Sequence, residues 1–314
     1  MITPIIPLDG IAGIRGNVFA KHEGVNMTGS MKIRSTRKIL DLACLAPGST
    51  IIESTSGNMG VALAYEAERR NLRCELVVDP KLSPFHRKEM NGYGVYPRVV
   101  YVEDDTGGWL KTRLAFVKEL IEEHPDWYWV NQYENPWNPL AFEELGVEIV
   151  KQLEGEIKAV GHVILFMAVS TGGSLTGVAR VLKEWLPTKR VTVVAVDAKG
   201  SAIFGQKPEK RYLNGIGSSL SNPPNLDRRL ISRTVIVDDA SAFTKCWELK
   251  KNGISCGGSS GAVVAAIAPY GLQFDEDNLV ITVFPDHGSI YEETIYSRHW
   301  LAEKGFDLRQ ICVG

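Results

Sequence analysis

The stretch Asn26–Ser35, NMTGSMKIRS, places a lysine where a short polar turn leads into a predicted helix. Its turn residues, Thr28, Gly29 and Ser30, allow a tight approach and supply helix-capping groups. The amine of Lys32 is expected to be desolvated, which favours its neutral, nucleophilic form. The apolar walls for this are predicted to come from Met27, Met31 and Ile33. A solvated surface lysine is the alternative that this stretch alone leaves open.

Three further turns of small residues follow in the chain: TSGNMG at 55–60, STGGS at 170–174 and GGSSG at 257–261. The turn at 170–174 lies between a predicted strand and a predicted helix, where free N–H groups and the helix dipole form an anion site. It is neither a Gly-x-Gly-x-x-Gly nor a Gly-x-x-x-x-Gly-Lys-Ser/Thr loop, so dinucleotide and ATP sites lose support. The turn at 55–60 suits a carboxylate, and the Asn58 amide can donate to a phenolate oxygen.

With the lysine first, these four motifs predict a pyridoxal-phosphate enzyme. Lys32 is predicted to be the catalytic, imine-forming residue, and the 170–174 turn is predicted to bind the phosphate. Ser259 would face the pyridine nitrogen with a neutral hydroxyl, so the ring is a weaker electron sink, which suits loss of a group from Cβ straight after Cα deprotonation. The predicted cofactor-binding residues are Lys32, Asn58, Ser170, Thr171, Gly172, Gly173, Ser174 and Ser259.

The turn at 257–261 also satisfies Gly-x-Ser-x-Gly, the nucleophile elbow of serine hydrolases. That elbow needs an acid and then a histidine on separate later strands. Downstream lie Asp286, His287 and His299, with one clear strand. A serine hydrolase is therefore the alternative from another enzyme class, and a non-catalytic protein that binds the cofactor and regulates a partner is a third possibility.

Composition excludes several classes of protein. The 314 residues carry 35 lysines and arginines against 37 acids, a formal net charge of −2, which argues against nucleic acid or an anionic membrane surface as partner. No secretory signal is visible, and no apolar run approaches the length of a membrane span. The five cysteines are scattered and never form a Cys-x-x-Cys pair, so neither a metal site nor a disulfide framework is predicted. We expect a cytoplasmic protein.

Apolar strand-like runs alternate with helical patterns along the chain, which predicts an α/β fold with mostly parallel sheets flanked by helices. So many strands suggest two α/β layers with a cleft between them, joined near residues 135–139, where two prolines and two asparagines break the periodicity. Predicted strands include 50–53, 99–102 and 279–284, and predicted helices include 242–252 and 262–267. The irregular stretch 199–225 is either functional or disordered.

Taken together, these motifs resemble the fold-type-II pyridoxal-phosphate enzymes, specifically the cysteine synthase and cystathionine β-synthase family. The match covers nearly the whole chain. It is carried by Thr3–Leu8, Asn26–Arg34, Thr55–Met59, Asn131–Pro136, Ser170–Ser174, Gly215–Gly217, Ser259 and Pro285–Gly288.

The resemblance implies a fold like that of the tryptophan synthase β subunit, with a smaller domain at 35–138 and a larger one formed by 1–34 and 139–314. It also implies a homodimer, amino-acid substrates, and β-replacement on an O-activated serine through an α-aminoacrylate. Residues 80–121 are predicted to be mobile and to close over the substrate. The predicted substrate-binding residues are Thr55, Ser56, Gly57, Met59, Arg113, Gln132, Tyr133 and Gly217.

Several departures from the family pattern argue against a plain cysteine synthase, notably Met27, Ile33, Met59, Phe142 and Leu145. Two other stretches, 107–113 (GGWLKTR) and 296–301 (YSRHWL), resemble the branch that makes N-(2-amino-2-carboxyethyl)-L-glutamate from O-phospho-L-serine and glutamate, on the route to 2,3-diaminopropionate. Its anionic substrates would need cations, for which Arg113, Arg211 and Lys210 are the candidates. A cysteine synthase, or another synthase that uses a thiol or an amine, is the alternative.

Overall fold

Two β-sheets, each flanked by helices, make up the computed structural model, which describes residues 2–55, 57–105, 107–270 and 274–312. The strands are β1 (Ile5–Pro7), β2 (Val18–His22), β3 (Thr50–Ser54), β4 (Arg73–Val78), β5 (Arg98–Val99), β6 (Tyr128–Trp129), β7 (His162–Ala168), β8 (Arg190–Ala198), β9 (Arg233–Val237) and β10 (Asn278–Phe284). The helices are α1 (Lys32–Ala43), α2 (Asn58–Arg70), α3 (Pro84–Gly92), α4 (Leu110–Glu123), α5 (Trp137–Gln152), α6 (Glu154–Ala159), α7 (Gly173–Trp185), α8 (Asp239–Lys251), α9 (Gly258–Ile267), α10 (Arg298–Glu303) and α11 (Leu308–Ile311).

The larger sheet has the strand order β1-β2-β10-β7-β8-β9, and only the β1–β2 pair is antiparallel. Its central strands are almost wholly apolar because helices cover both faces. Along β7, Ile164 and Phe166 point into one apolar core, whereas Val163, Leu165 and Met167 point into the other. Alternation of side chains along the strand thus lets one sheet serve two cores.

The smaller sheet has the order β5-β4-β3-β6, and all its pairs are parallel. All its strands lie between residues 50 and 129, and its own core includes Ile51, Leu63 and Leu76. The predicted α/β class with two mostly parallel sheets is confirmed. The division at residues 35 and 138 stays a prediction, with which the range of the small sheet is compatible.

The main differences from the predicted elements lie at strand and helix ends. The strand predicted at 99–102 is confined to Arg98–Val99, because β5 is a sheet edge and the side chains of Tyr101 and Val102 are exposed. The helix predicted at 242–252 begins earlier, at Asp239, where the side chain of Asp238 accepts a hydrogen bond from Ser241 N at 2.8 Å. Similarly, the helix predicted at 262–267 begins at Gly258.

The stretch 199–225 contains neither a helix nor a strand, as predicted, yet it is anchored by hydrogen bonds such as Ala202 N to Ser218 O at 2.8 Å. All five cysteines are free thiols. Across the described ranges, none of the helices combines the length and apolarity needed to cross a membrane.

Candidate active site

Lys32 is the first residue of α1, and its backbone N–H donates to Ser30 Oγ at 3.3 Å. Burial lowers the pKa of its amine, although the negative charge of Asp286 acts in the opposite direction. No hydrogen-bond or ion-pair partner for Lys32 Nζ is found among the described residues. Met31 and Ile33 are buried beside it in sequence, but the prediction for Met27 is wrong. That side chain is 45% exposed, and its sulfur lies 2.8 Å from the Arg37 guanidinium.

Two of the predicted site segments are joined through the backbone that follows β10. Met31 N donates to Pro285 O at 2.8 Å, and His287 N donates to Gly29 O at 2.9 Å. Gly257 N donates to Asp286 O at 3.2 Å. The lysine turn and the turn at 257–261 are therefore held against the same short segment at the carboxyl end of a central strand.

The Asp286 side chain lies at the middle of this junction and is only 2% exposed. Its Oδ2 accepts hydrogen bonds from Asn58 Nδ2 at 2.7 Å and from Tyr291 OH at 2.6 Å. Burial raises the pKa of the carboxyl to about 6, and these two donors and Lys32 partly offset that rise. Sequence reasoning noted Asp286 only within a motif and as a hydrolase acid. Its position just after a buried parallel strand was the signal for a site residue.

The turn at 55–60 leads into α2 and approaches Asp286 from the small sheet. The buried Thr55 hydroxyl accepts hydrogen bonds from Gly57 N at 3.3 Å and Gly60 N at 3.2 Å, which fixes the turn. Ser56 lies outside the described residues. The Met59 side chain packs in the core of the small sheet, where its sulfur accepts a hydrogen bond from Thr36 Oγ1 at 3.5 Å, so only its backbone is left for a substrate.

The turn at 170–174 connects β7 to α7 and forms an open set of donors. Among the described residues, no acceptor meets the backbone N–H groups of Thr171, Gly172, Gly173 or Ser174. Gly172 has φ +87°, and a Cβ there would lie 2.5 Å from the Leu226 side chain, so only glycine fits. Ser170 Oγ donates to Gly217 O at 3.1 Å, which attaches the predicted turn 215–217.

The Gln132 peptide is held from both sides. Its N–H donates to the Glu53 carboxylate at 3.0 Å, and its carbonyl accepts from Asn138 Nδ2 at 2.6 Å and Asn225 Nδ2 at 3.1 Å. Burial raises the pKa of Glu53 to about 7, which the backbone N–H groups of Gln132 and Ser54 and the charge of Arg113 partly offset. A Cβ on Gly173 would lie 2.7 Å from Asn138, so this peptide adjoins the 170–174 turn. Sequence reasoning missed Glu53 and Asn225.

Two of the three candidate cations lie near Tyr133. Arg113 and Arg211 both favour the ionised form of the Tyr133 phenol, although burial raises its pKa overall. Arg113 is only 6% exposed and lies 3.3 Å from Asp79 Oδ2. A Cβ on Gly217 would lie 3.0 Å from Arg211 Nε. Lys210, in contrast, is exposed and lies over the Tyr212 ring.

Ser259 is buried and is the second residue of α9. The segment before it contributes only the isolated bridge between Cys256 and His287, so no strand leads directly into the serine. A nucleophile elbow requires a sharp strand-to-helix turn. The hydrolase alternative therefore lacks its structural framework.

The groups gathered here fit pyridoxal phosphate. Four free N–H groups at a helix N-terminus suit its phosphate, and the half-buried Lys32, whose amine has no partner among the described residues, suits an imine with its aldehyde. Lys32, Asn58, the 170–174 turn and Ser259 are the residues that would hold it. Phe142 and Leu145, two departures from the family pattern, instead lie in the core of the large sheet.

Comparison with known proteins identifies the family. The profile of the family described as pyridoxal-phosphate dependent enzyme matches residues 2–286. The chain therefore belongs to the pyridoxal-phosphate dependent enzymes, and its cofactor is pyridoxal 5'-phosphate.

Three solved structures show which of the pyridoxal-phosphate dependent enzymes this chain resembles. The chain is 29% identical to O-ureido-L-serine synthase, covering 96% of each chain with a TM-score of 0.82. A lysine-to-alanine mutant of that enzyme with O-ureido-L-serine bound matches at 29% identity and a TM-score of 0.82, covering 97% of this chain and 96% of the other. An O-acetylserine dependent cystathionine β-synthase from Helicobacter pylori is 32% identical, covering 94% and 96%, also with a TM-score of 0.82. The protein is an enzyme of the cysteine synthase and cystathionine β-synthase family, and its reaction is β-replacement on an O-activated serine.

Proposed function

We propose that this enzyme replaces the phosphate of O-phospho-L-serine with the amine of L-glutamate, giving N-(2-amino-2-carboxyethyl)-L-glutamate. The stretches 107–113 and 296–301 support this branch by resemblance. The structural observation that carries the proposal is Arg113, a buried cation with unused hydrogen-bond donors that acts electrostatically on Tyr133, a predicted substrate-binding residue. The predicted homodimer and cytoplasmic location stay predictions.

Different residues of the chain have different roles in the proposed reaction. When bound, pyridoxal phosphate delocalises the electron pair left at the substrate Cα. Lys32 Nζ, whose pKa is lowered by burial, would hold the cofactor and would accept the Cα proton of the substrate. Thr55, Gly57, the Met59 backbone and Gln132 bind the substrate carboxylate, and the Ser259 hydroxyl faces the ring nitrogen.

Arg113 has more donors than its protein partners use. Its Nε and Nη1 are buried without a hydrogen bond among the described residues, although Asp79 Oδ2 is 3.3 Å away. Leaving buried donors of a charged group unpaired is costly, so a ligand with two anionic oxygens is a natural complement. A phosphate or a side-chain carboxylate supplies such oxygens, whereas sulfide does not.

Arg211 is a second cation that acts electrostatically on Tyr133. It contacts the turn at 215–217, which is itself bonded to the phosphate-binding turn through Ser170 and Gly217. Two cations that both act on Tyr133 suit a reaction in which a phosphate leaves and a dicarboxylate enters. Lys210, exposed over Tyr212, is left out of this proposal.

The test is a panel of nucleophiles mixed with the enzyme after it has reacted with O-phosphoserine or O-acetylserine. Glutamate is expected to consume the visible-absorbing intermediate faster than sulfide, cysteine or homocysteine at equal concentration, and O-phosphoserine is expected to form it faster. If a thiol or sulfide reacts much faster, glutamate is not the nucleophile, although the assignment to β-replacement still holds.

Arg113→Gln tests the anion contact directly. Losing hydrogen bonds to a charged ligand is expected to raise the KM for the anionic substrate by roughly 10- to 100-fold, while the rate with sulfide changes little. Arg180→Gln is the matched control, because Arg180 is an exposed arginine on α7 that pairs with Glu143. Equal effects of Arg113→Gln on glutamate and sulfide would contradict the proposed contact.

A further inference from the structure

A line of four side chains connects α3 to the segment after β10. Ser83 Oγ lies 2.7 Å from His86 Nδ1, and His86 Nε2 lies 2.9 Å from Asn58 Oδ1. Asn58 Nδ2 in turn donates to Asp286 Oδ2 at 2.7 Å. His86 is 7% exposed, and its ring packs on Gly57, where a Cβ would lie 3.0 Å from His86 Cε1.

Chemistry fixes the direction of every bond in this line. Above pH about 6 the Asp286 carboxyl is ionised and only accepts hydrogen bonds, so Asn58 must present its amide nitrogen to it. The Asn58 carbonyl oxygen then faces His86 Nε2, which must carry a hydrogen. Burial lowers the pKa of His86 to about 4, so the ring is neutral and its Nδ1 is left as the acceptor for the Ser83 hydroxyl.

We propose that His86 is a positioning residue: as the neutral Nε2–H tautomer it holds the Asn58 carbonyl and so keeps the second hydrogen of Asn58 Nδ2 directed at the cofactor. This inference rests on the proposed placement of Asn58 beside the phenolate oxygen of pyridoxal phosphate.

The need for such a device follows from the symmetry of a primary amide. Rotation by half a turn exchanges a donor for an acceptor with almost no change in shape. With the carbonyl turned towards the phenolate oxygen, two acceptors would face each other. Asp286 opposes that rotation because it accepts from Asn58 Nδ2. His86, on helix α3, opposes it at the other end of the amide, at Asn58 Oδ1.

The first test measures the tautomer in the wild-type holoenzyme. Two-bond nitrogen–proton correlation spectra of protein with ¹⁵N-labelled histidine distinguish a protonated from an unprotonated ring nitrogen. His86 is expected to show protonated Nε2 and unprotonated Nδ1 from pH 8 to pH 6. A protonated Nδ1 with unprotonated Nε2 would overturn the proposal, because Nε2 could not then donate to Asn58.

The second test uses paired variants. His86→Gln keeps an N–H near the position of Nε2, whereas His86→Asn places its amide near Nδ1 and loses that donor. Lys88→Asn, at an exposed position of the same helix, controls for the introduced asparagine. A donor to the phenolate oxygen favours the imine form that absorbs in the visible. His86→Asn is therefore expected to lower the ratio of visible to near-ultraviolet absorbance by roughly three- to tenfold, with His86→Gln and Lys88→Asn close to wild type.

An unchanged ratio in His86→Asn, or an equal loss in His86→Gln, would overturn the positioning role. If His86→Asn does not fold, His86→Gln and the wild-type tautomer decide the question. A wild-type protein with no visible band after pyridoxal phosphate is added would instead contradict the proposed cofactor placement, and the tautomer would still report how Asn58 is held.

Discussion

At the scale of single residues, Asp286 connects several segments of the site. Its backbone pairs with Ser30 and Gly257, and its carboxylate accepts hydrogen bonds from Asn58 and Tyr291. Its negative charge also opposes the effect of burial on Lys32.

We therefore expect Asp286→Asn to lower the pKa of the Lys32 amine further, because it removes the charge that favours the ammonium form. NMR of apoenzyme with ¹³C-labelled lysine measures this pKa directly. Tyr291→Phe is the control, since it removes one hydrogen bond and keeps the charge. A rise in the pKa of Lys32 in Asp286→Asn would contradict this account.

His86 makes the free energy of unfolding depend on pH. Its pKa is about 4 in the folded protein and about 6.5 when unfolded, so its neutral form stabilises the fold fully above pH 6.5, and that stability is lost as the pH falls to about 4. The loss amounts to about 3 kcal/mol. Asp286 has the opposite dependence, because its raised pKa favours the folded protein at acid pH.

The difference between wild type and His86→Gln isolates the histidine. Urea unfolding is expected to show the stability of wild type relative to His86→Gln falling by about 3 kcal/mol between pH 7 and pH 4. A difference that stays constant over this range would mean that His86 titrates normally in the folded protein.

At the scale of elements, the close approach of α7 to α5 requires a glycine at position 177. A Cβ on Gly177 would collide with the Pro139 carbonyl oxygen and lie 2.8 Å from the Phe142 backbone. Gly177→Ala is expected to lower the free energy of unfolding by about 1–3 kcal/mol, because the two helices must separate.

Gly155→Ala is its matched control in helix α6. A Cβ there meets nothing within 4 Å, and alanine is expected to stabilise by about 0.5–1 kcal/mol. Chemical denaturation of both variants measures the contrast. An unchanged free energy of unfolding in Gly177→Ala would show that the two helices adjust without loss of stability.

The sequence was most informative about the positions of the helices and strands. Continuous apolar runs identified the buried strands, and the small-residue turn at 55–60 identified the start of α2, whereas α9 begins four residues before its predicted start. The edge strand β5 was predicted too long because its apolar residues 101 and 102 lie on the surface. Burial at a sheet edge depends on neighbours that local periodicity does not reveal.

The motifs of the candidate site could be predicted from the sequence, whereas the residues that hold those motifs in place could not. Lys32 and the 170–174 turn have local signatures, so sequence reasoning selected them. His86, Glu53 and Asn225 act through partners that are 28, 79 and 93 residues away, and no spacing rule connects such pairs. Met27, judged by adjacency alone, was assigned to the wrong environment.

At the scale of the whole molecule, residues 80–121 are predicted to close over the bound substrate. Trp109 lies in this segment, with Lys81 Nζ 4.7 Å from its ring centroid. Closure should change the surroundings of that indole and exclude water from the reacting atoms.

Tryptophan emission is expected to change when a serine analogue is added to wild type. The change should be largely lost in Trp109→Phe and retained in Trp185→Phe, which removes an exposed indole on α7. An emission change of equal size in both variants would contradict closure at this segment.

The strand order of the large sheet sets the sequence of events during synthesis. Val18 of β2 pairs with Val280 of β10, and apart from β10 this strand pairs only with the three-residue β1. At about 5–20 residues per second, the ribosome needs roughly 10–50 s to deliver that partner. The small sheet, whose strands span residues 50–129, is complete long before. The lysine turn that follows β2 must therefore wait for β10 before it can be held against Pro285, so the catalytic site forms long after the small sheet.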